Sequence, residues 1–180
     1  MKYLSSSSFP LSLARRQRGA SLLEVIAYLG IAAIVVLGAV SLLTSAFSNA
    51  QANRTLEEVV ALRTGVKRLY MGQTANYGDA SITAQAINAG VVPATLTHTA
   101  NTITNAWNGT VTITGATNVF RIAYANVPQA ACIALLSGAT GWSSVKGEGT
   151  KLDNLTGPVT PAQAATTCQA GDNDMEWEAN

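Results

Sequence analysis

The sequence predicts an α+β fold, with one long N-terminal helix packed against a small antiparallel sheet. Three observations carry that reading. Residues 18–47 read RGASLLEVIAYLGIAAIVVLGAVSLLTSAF, an apolar run in which Glu24 is the only charge after Arg18. Residues 45–73 contain no proline and place Leu56, Val59, Leu62, Val66, Leu69 and Tyr70 at steps of three and four, which is one apolar face of a helix. Beyond them, short helical segments and alternating ones follow each other without a βαβ rhythm, as in antiparallel sheets with helices set to one side.

In chain order, residues 1–19 are a serine-rich run that ends in Arg15, Arg16, Arg18 and Gly19. No charged side chain lies between Val25 and Leu43, which meets the ~20 apolar residues that a helix needs to cross a bilayer. The arginines stay on the cytoplasmic side, so the rest of the chain is exported. Residues 20–47 are expected as a transmembrane helix and 48–73 as its amphipathic continuation. Together they make one helix of about 50 residues, roughly 75 Å at 1.5 Å per residue. Arg54, Glu57, Glu58, Arg63, Lys67 and Arg68 are assigned to its solvated face, and Gly72 to its end. The alternative is a cleaved secretory signal ending at Ala50-Gln51-Ala52. It requires a leader of about 50 residues and an apolar core well beyond the usual ~7 to 15.

Residues 74–180 form the expected globular domain. Its first element is a short helix capped by Asp79 or Ser81, with Ile82, Ala86 and Ile87 buried and Gly90 just past its end. The Thr- and Asn-rich stretch 91–106, with Pro93, reads as an irregular connection. Val111 and Ile113 alternate with threonines, residues 119–125 alternate likewise, and Gly115 to Asn118 lie between them, which predicts a β-hairpin. Pro128 opens a helix that runs to Leu136 and stops near Gly138. Residues 141–146 read as a strand entering a turn at Gly147, Glu148 and Gly149. Thr160, Pro161 and Gln163 have the spacing of a capping box, so a short helix should carry Cys168. Residues 175–178 alternate as a last strand.

Charged residues make up 12% of the 180, against an average near 25%. Lys2, Arg15, Arg16 and Arg18 put four positive charges in residues 1–19, so the formal +1 of the chain divides into +4 there and −3 in the remainder. That balance offers no reason to expect nucleic-acid binding. His98 stands alone in Thr-Leu-Thr-His-Thr, and residues 147–151, GEGTK, lack the glycine and lysine order of a phosphate-binding loop. The expectation is a protein that is not an enzyme and takes no cofactor or metal. A separate expectation comes from charge placement. Lys67 and Arg68 on the helix, and Asp172, Asp174, Glu176 and Glu178 near the C-terminus, are opposite patches that could meet between subunits.

RQRG followed by ASLLEVIAYLGI resembles the processing site of type IV pilins. In that family prepilin peptidase cuts after the glycine, N-methylates the new amino terminus and leaves the apolar helix on the mature chain. The resemblance implies cleavage between Gly19 and Ala20 and methylation of Ala20. It also implies that Glu24 of one subunit meets the Ala20 amino group of a neighbour during assembly. A carboxylate in hydrocarbon costs about 2.5 to 3.5 kcal/mol on insertion scales and usually has a partner. On that residue alone, snorkelling of Glu24 to the membrane edge is an equal alternative. Ala20 departs from the larger apolar residue usual in the family. The leader length, and Ser41 where a proline is absent, are similar to the type IVb branch, and residues 74–79, TANYGD, with 89–93, AGVVP, resemble conjugative and enteric type IVb pilins.

The resemblance implies a pilin fold with a C-terminal disulfide loop. Cys132 and Cys168 match the family's pair, and both lie in the exported part, where an oxidising compartment favours a disulfide. The expected function is the major structural subunit of a type IVb pilus, a surface filament for adhesion, aggregation or conjugative mating. Expected partners are further copies of the chain, prepilin peptidase, the inner-membrane assembly machinery, the outer-membrane secretin and a receptor on a host or recipient cell. The precursor is expected in the inner membrane, with its N-terminus cytoplasmic and its domain periplasmic, and the product on a Gram-negative cell surface. A minor pilin or a type II secretion pseudopilin shares the same signals. From a different class, so does a membrane-anchored extracytoplasmic binding domain.

Overall fold

The protein is described here from a computed structural model covering residues 21–73, 76–153, 155 and 157–180. Helix α1 spans Leu22–Leu69, with Glu24 in its first turn and Lys67 and Arg68 in its last, the ends that the helix dipole favours for each sign. It passes from one compact unit, ending at Leu42, into a second, Leu43–Asn180. In the second unit α1 buries Ala52, Thr55, Glu58, Val59, Leu62, Gly65 and Val66. These recur at three and four residues, so one stripe of the helix faces the core. The stripe is rotated from the expected one. Glu58 belongs to it and is buried, not solvated, whereas Leu69 is 37% exposed. Helical position explains the first, since Glu58 falls between Thr55 and Leu62 on the inner stripe, and Arg54 Nε reaches its carboxylate at 3.2 Å; Leu69 is the last residue of the helix.

The core stripe covers a sheet whose seven described strands run β1 (Thr97–His98), β2 (Ile103–Thr104), β3 (Thr110–Ala116), β4 (Val119–Pro128), β5 (Ser144–Gly147), β6 (Thr150–Asp153) and β7 (Asp172–Ala179). Their spatial order is β1-β2-β3-β4-β7-β5-β6, and every pairing is antiparallel. Helices α2 (Thr83–Asn88), α3 (Gln129–Ser137) and α4 (Pro161–Thr167) complete the unit. Trp177, Tyr124, Phe120, Leu62, Ile103, Ile113 and Ile122 are the largest of its fully buried side chains. The α+β expectation therefore holds, with the last strand in chain order placed near the middle of the sheet.

Local differences have physical causes. Neither Asp79 nor Ser81 caps α2; its first turn follows Ile82, with no side-chain cap. Asp79 instead accepts hydrogen bonds from the Thr117 backbone N and Oγ1, both at 2.9 Å, which ties down the β3–β4 turn. That turn is only Thr117 and Asn118, because Ala116 already pairs with Val119. Gly115 is a strand residue, and a Cβ there would collide with the Tyr77 carbonyl; the close approach of two backbones, not a turn, is what needs glycine. Residues 91–106 are less irregular than expected and contain the small hairpin β1–β2.

Pro128 is the N-cap of α3, which begins at Gln129. The strand foreseen over 141–146 is the shorter β5, and β6 was not foreseen at all. The capping box of α4 forms as its spacing predicts, but Cys168 is the C-cap and not a helical residue.

Candidate assembly helix and disulfide loop

Every large apolar side chain on α1 from Leu22 to Phe47 is exposed, among them Leu23 at 80%, Leu42 at 76% and Ile34 at 73%. A Cβ added at Gly30 or Gly38 would meet nothing within 4 Å. An apolar surface this continuous marks contact with a membrane or with other proteins, and the helix is long and apolar enough to cross a membrane. Glu24 sits in its first turn. Gly19 and Ala20, the expected cleavage and methylation residues, lie outside the described residues.

The second candidate feature is covalent. Cys132 on α3 is bonded to Cys168 at the end of α4, with their Cα atoms 6.0 Å apart. Both are buried. The bond closes a loop that carries β5, β6 and α4. Inside it, Gly147 on β5 packs where a Cβ would lie 3.1 Å from Thr167 and 3.5 Å from Cys132 Sγ, so β5 lies directly against the bridge.

An ionic network crosses the outer face of the sheet. Arg121 Nε on β4 donates to Glu178 Oε2 on β7 at 2.8 Å and stands 3.7 Å from Glu176 Oε1. Lys151 on β6 lies 3.6 Å from Glu178 Oε1 and 2.9 Å from Asp153 Oδ1, while Ser144 Oγ donates to Glu178 at 3.3 Å. Burial pushes the Glu178 carboxyl up, but the Arg121 hydrogen bond, the Lys151 and Arg121 charges and the Ser144 hydroxyl outweigh it and hold it below the usual range.

This corrects the charge-pairing expectation in part, because Glu176 and Glu178 are engaged within the chain. The signal for it was present, since acids at 172, 174, 176 and 178 share one face of a strand. Their partners, distant in sequence, were not readable.

A depressed carboxyl stabilises the fold fully above its unfolded value, near 4.3, and the gain is lost as pH falls through the folded value. Stability should therefore fall in acid, on the order of 1 kcal/mol for this partly buried pairing. Unfolding followed by circular dichroism from pH 7 to pH 3 should show a shallower acid loss in Glu178→Gln than in the unaltered chain. Equal slopes would deny the network its role.

In the core, burial and then the nearby Glu58 charge raise the Tyr124 hydroxyl well above tyrosine's ordinary value, so it stays neutral. Arg63 lies over the Trp142 ring at 4.8 Å. Like Glu58, it leaves the solvated face that the sequence assigned to it.

Comparison with known proteins bears on what this arrangement is. A family model described as the PilS N-terminal region matches residues 49–180. The major structural subunit of the bundle-forming pilus of Escherichia coli O127:H6 (strain E2348/69 / EPEC) is 29% identical over 178 residues, covering 87% of this chain and 90% of that one. The chain belongs to the PilS family of type IVb pilins. The corresponding subunit from Escherichia coli O111:H- gives the same identity and coverage. In structure, the pilin resembles TcpA, a type IV pilin from Vibrio cholerae El Tor biotype, with a TM-score of 0.53 and 10% identity, over 73% of this chain and 99% of that one. At that identity the likeness shows the fold, a long helix on an antiparallel sheet. It is a pilin subunit, a structural protein of filaments.

Proposed function

We propose that this pilin is the major subunit of a type IVb pilus, made as an inner-membrane precursor and polymerised on the surface of a Gram-negative cell. The observation that carries the reading is the exposed large apolar side chains of α1 from Leu22 to Phe47. Lipid covers such a surface before assembly. Equivalent helices of other copies cover it afterwards, at roughly 25 cal/mol for each Å² of apolar area removed from water. A filament so built keeps buried what the membrane had buried. The 29% identity to a chain named as the major structural subunit of a pilus supports the same reading.

The working division of the chain is a leader at 1–19, a core helix at 20–47, its amphipathic continuation at 48–73 and an exported domain at 74–180. Prepilin peptidase cuts between Gly19 and Ala20 and methylates Ala20. Glu24 pairs with the Ala20 amino group of the next copy, which neutralises a carboxylate that is costly in an apolar core. Inner-membrane assembly machinery extracts the helix, a secretin passes the filament, and the exported domains present the disulfide loop to a host or recipient cell.

Intact mass and N-terminal sequencing of sheared surface filaments test this. A chain that starts at Ala20, one methyl group heavier and two hydrogens lighter than the reduced sequence, is the expected result. A full-length chain, or one beginning near Asn53, found only in membranes or periplasm would sink the proposal. A processed chain that is a trace component of filaments built from another pilin would make it a minor subunit.

A further inference from the structure

The four acids on the outward face of β7 are not equally paired. Glu176 and Glu178 meet Arg121 and Lys151. Asp172 and Asp174, at the start of the strand, are exposed, and neither has an ion-pair partner among the described residues. Glu148 joins them there, because its carboxylate accepts from the Asp174 backbone N at 3.0 Å while its own N donates to the Asp174 carbonyl at 3.0 Å. The nearest cation along the strand, Lys146, stands opposite Glu176.

The other end of β7 is its electrostatic opposite. Beyond Ala179, Asn180 lines a groove of about 420 Å³ with Lys67, Arg68, Tyr70, Met71 and Tyr77. Neither Lys67 nor Arg68 has an ion-pair partner among the described residues, and Met71 is 76% exposed. Burial and the neighbouring Arg63 charge hold the Lys67 ammonium below its ordinary value.

We propose that this groove receives the Asp172 and Asp174 end of β7 from a second copy of the chain, with Met71 as its apolar anchor. The proposal rests on the pilin reading and names the contact between exported domains. Within one copy the two ends cannot pair, since eight strand residues span about 26 Å and charges are screened over about 8 Å at physiological salt. Between copies they are complementary, which steers docking and fixes register. A contact that joins one end of a subunit to the other end of the next is heterologous, and where its rotation does not close it builds a filament.

The test uses the full-length chain in cells that carry the assembly machinery, and reads the filament fraction of total processed pilin. Lys67→Glu with Arg68→Glu, and Asp172→Lys with Asp174→Lys, should each cut that fraction at least tenfold. All four reversals together should return it to within threefold of the unaltered chain. Retention of the Cys132–Cys168 bond on non-reducing gels checks that each variant folds.

A second measurement does not depend on reversal. Cells making Arg68→Cys copies together with Asp174→Cys copies should give, on mild oxidation of filaments, a cross-linked dimer absent from either variant alone. Normal assembly by the reversed pairs, no rescue by the fourfold swap, or no mixed dimer would overturn the proposal. Reversals that leave filaments intact but abolish adherence would reassign the groove to an acidic partner outside the filament. Absence of the unaltered chain from filaments would instead refute the pilus reading itself.

Discussion

Replacing Cys132 and Cys168 together by alanine is expected to lower the unfolding free energy of the exported unit by about 4 kcal/mol, the chain-entropy value for a loop of this length. The cysteines are 36 positions apart, and the segment between them includes β5, β6 and α4. In the folded chain that segment has other restraints. β5 pairs with β7 over four residues, from Ser144 opposite Glu178 to Gly147 opposite Met175, and the α4 capping box between Thr160 and Gln163 is intact. The bond is therefore expected to act mainly by restricting the unfolded chain.

That reasoning gives a specific pattern. The double variant, in detergent and as the full chain, should fold at low temperature with a native circular dichroism spectrum, yet melt roughly 10 to 20 °C lower. Unaltered protein reduced with dithiothreitol should match it. A loss below about 1 kcal/mol would mean that the ladder and caps alone hold the loop. A double variant that is unfolded at every temperature would mean that the bridge, buried between α3 and α4, also supplies packing that the loop argument omits.

How much of this was legible follows from the range of each interaction. The apolar run, the helical period of residues 45–73, the β3–β4 alternation and the Thr160 capping box are local patterns, and each produced its element. Glu58 and Arg63 were misassigned because a period of 3.6 fixes a stripe but not its width. The two lie about 140° apart around the helix, so Glu58 joins the stripe at one edge, with Arg54 as its partner, while Arg63 at the other edge lies over Trp142. β6 was missed because Thr150 to Asp153 are edge residues whose only described strand partner is β5, so Leu152 alone is apolar among them and no alternation marks a strand. Asp79 looked like a helix cap because its preference for binding backbone N–H groups is local. The N–H it binds belongs to Thr117, 38 residues away.

The site divided the same way. Cys132 and Cys168 stood out by residue type and are bonded, whereas the Arg121, Glu178 and Lys151 network depends on a sheet order in which β7 lies between β4 and β5.

That sheet order makes Trp177→Ala the second large effect. Trp177 is fully buried. It stands opposite Ile122 on β4 and Val145 on β5, with Tyr124 edge-on at 5.6 Å and Trp142 at 6.5 Å. Truncation to alanine should cost about 3 to 5 kcal/mol, transfer loss plus the cavity left behind. Trp177→Phe should cost clearly less, about 1 to 2 kcal/mol, because it keeps a ring against Tyr124. It also gives up no described protein hydrogen bond, since indole Nε1 has no such partner.

The location of the damage matters more than its size. Among the described strands, β5 and β6 join the rest of the sheet only through β7, so loosening β7 uncouples the disulfide loop from β1–β4. Amide exchange on the alanine variant should show β5 and β6 losing protection before β3 and β4, although the Cys132–Cys168 bond still ties the loop to α3. Uniform loss of protection across the sheet would instead mean that the unit opens only as a whole. In that case Trp177 would set its global stability without being the joint between its two halves.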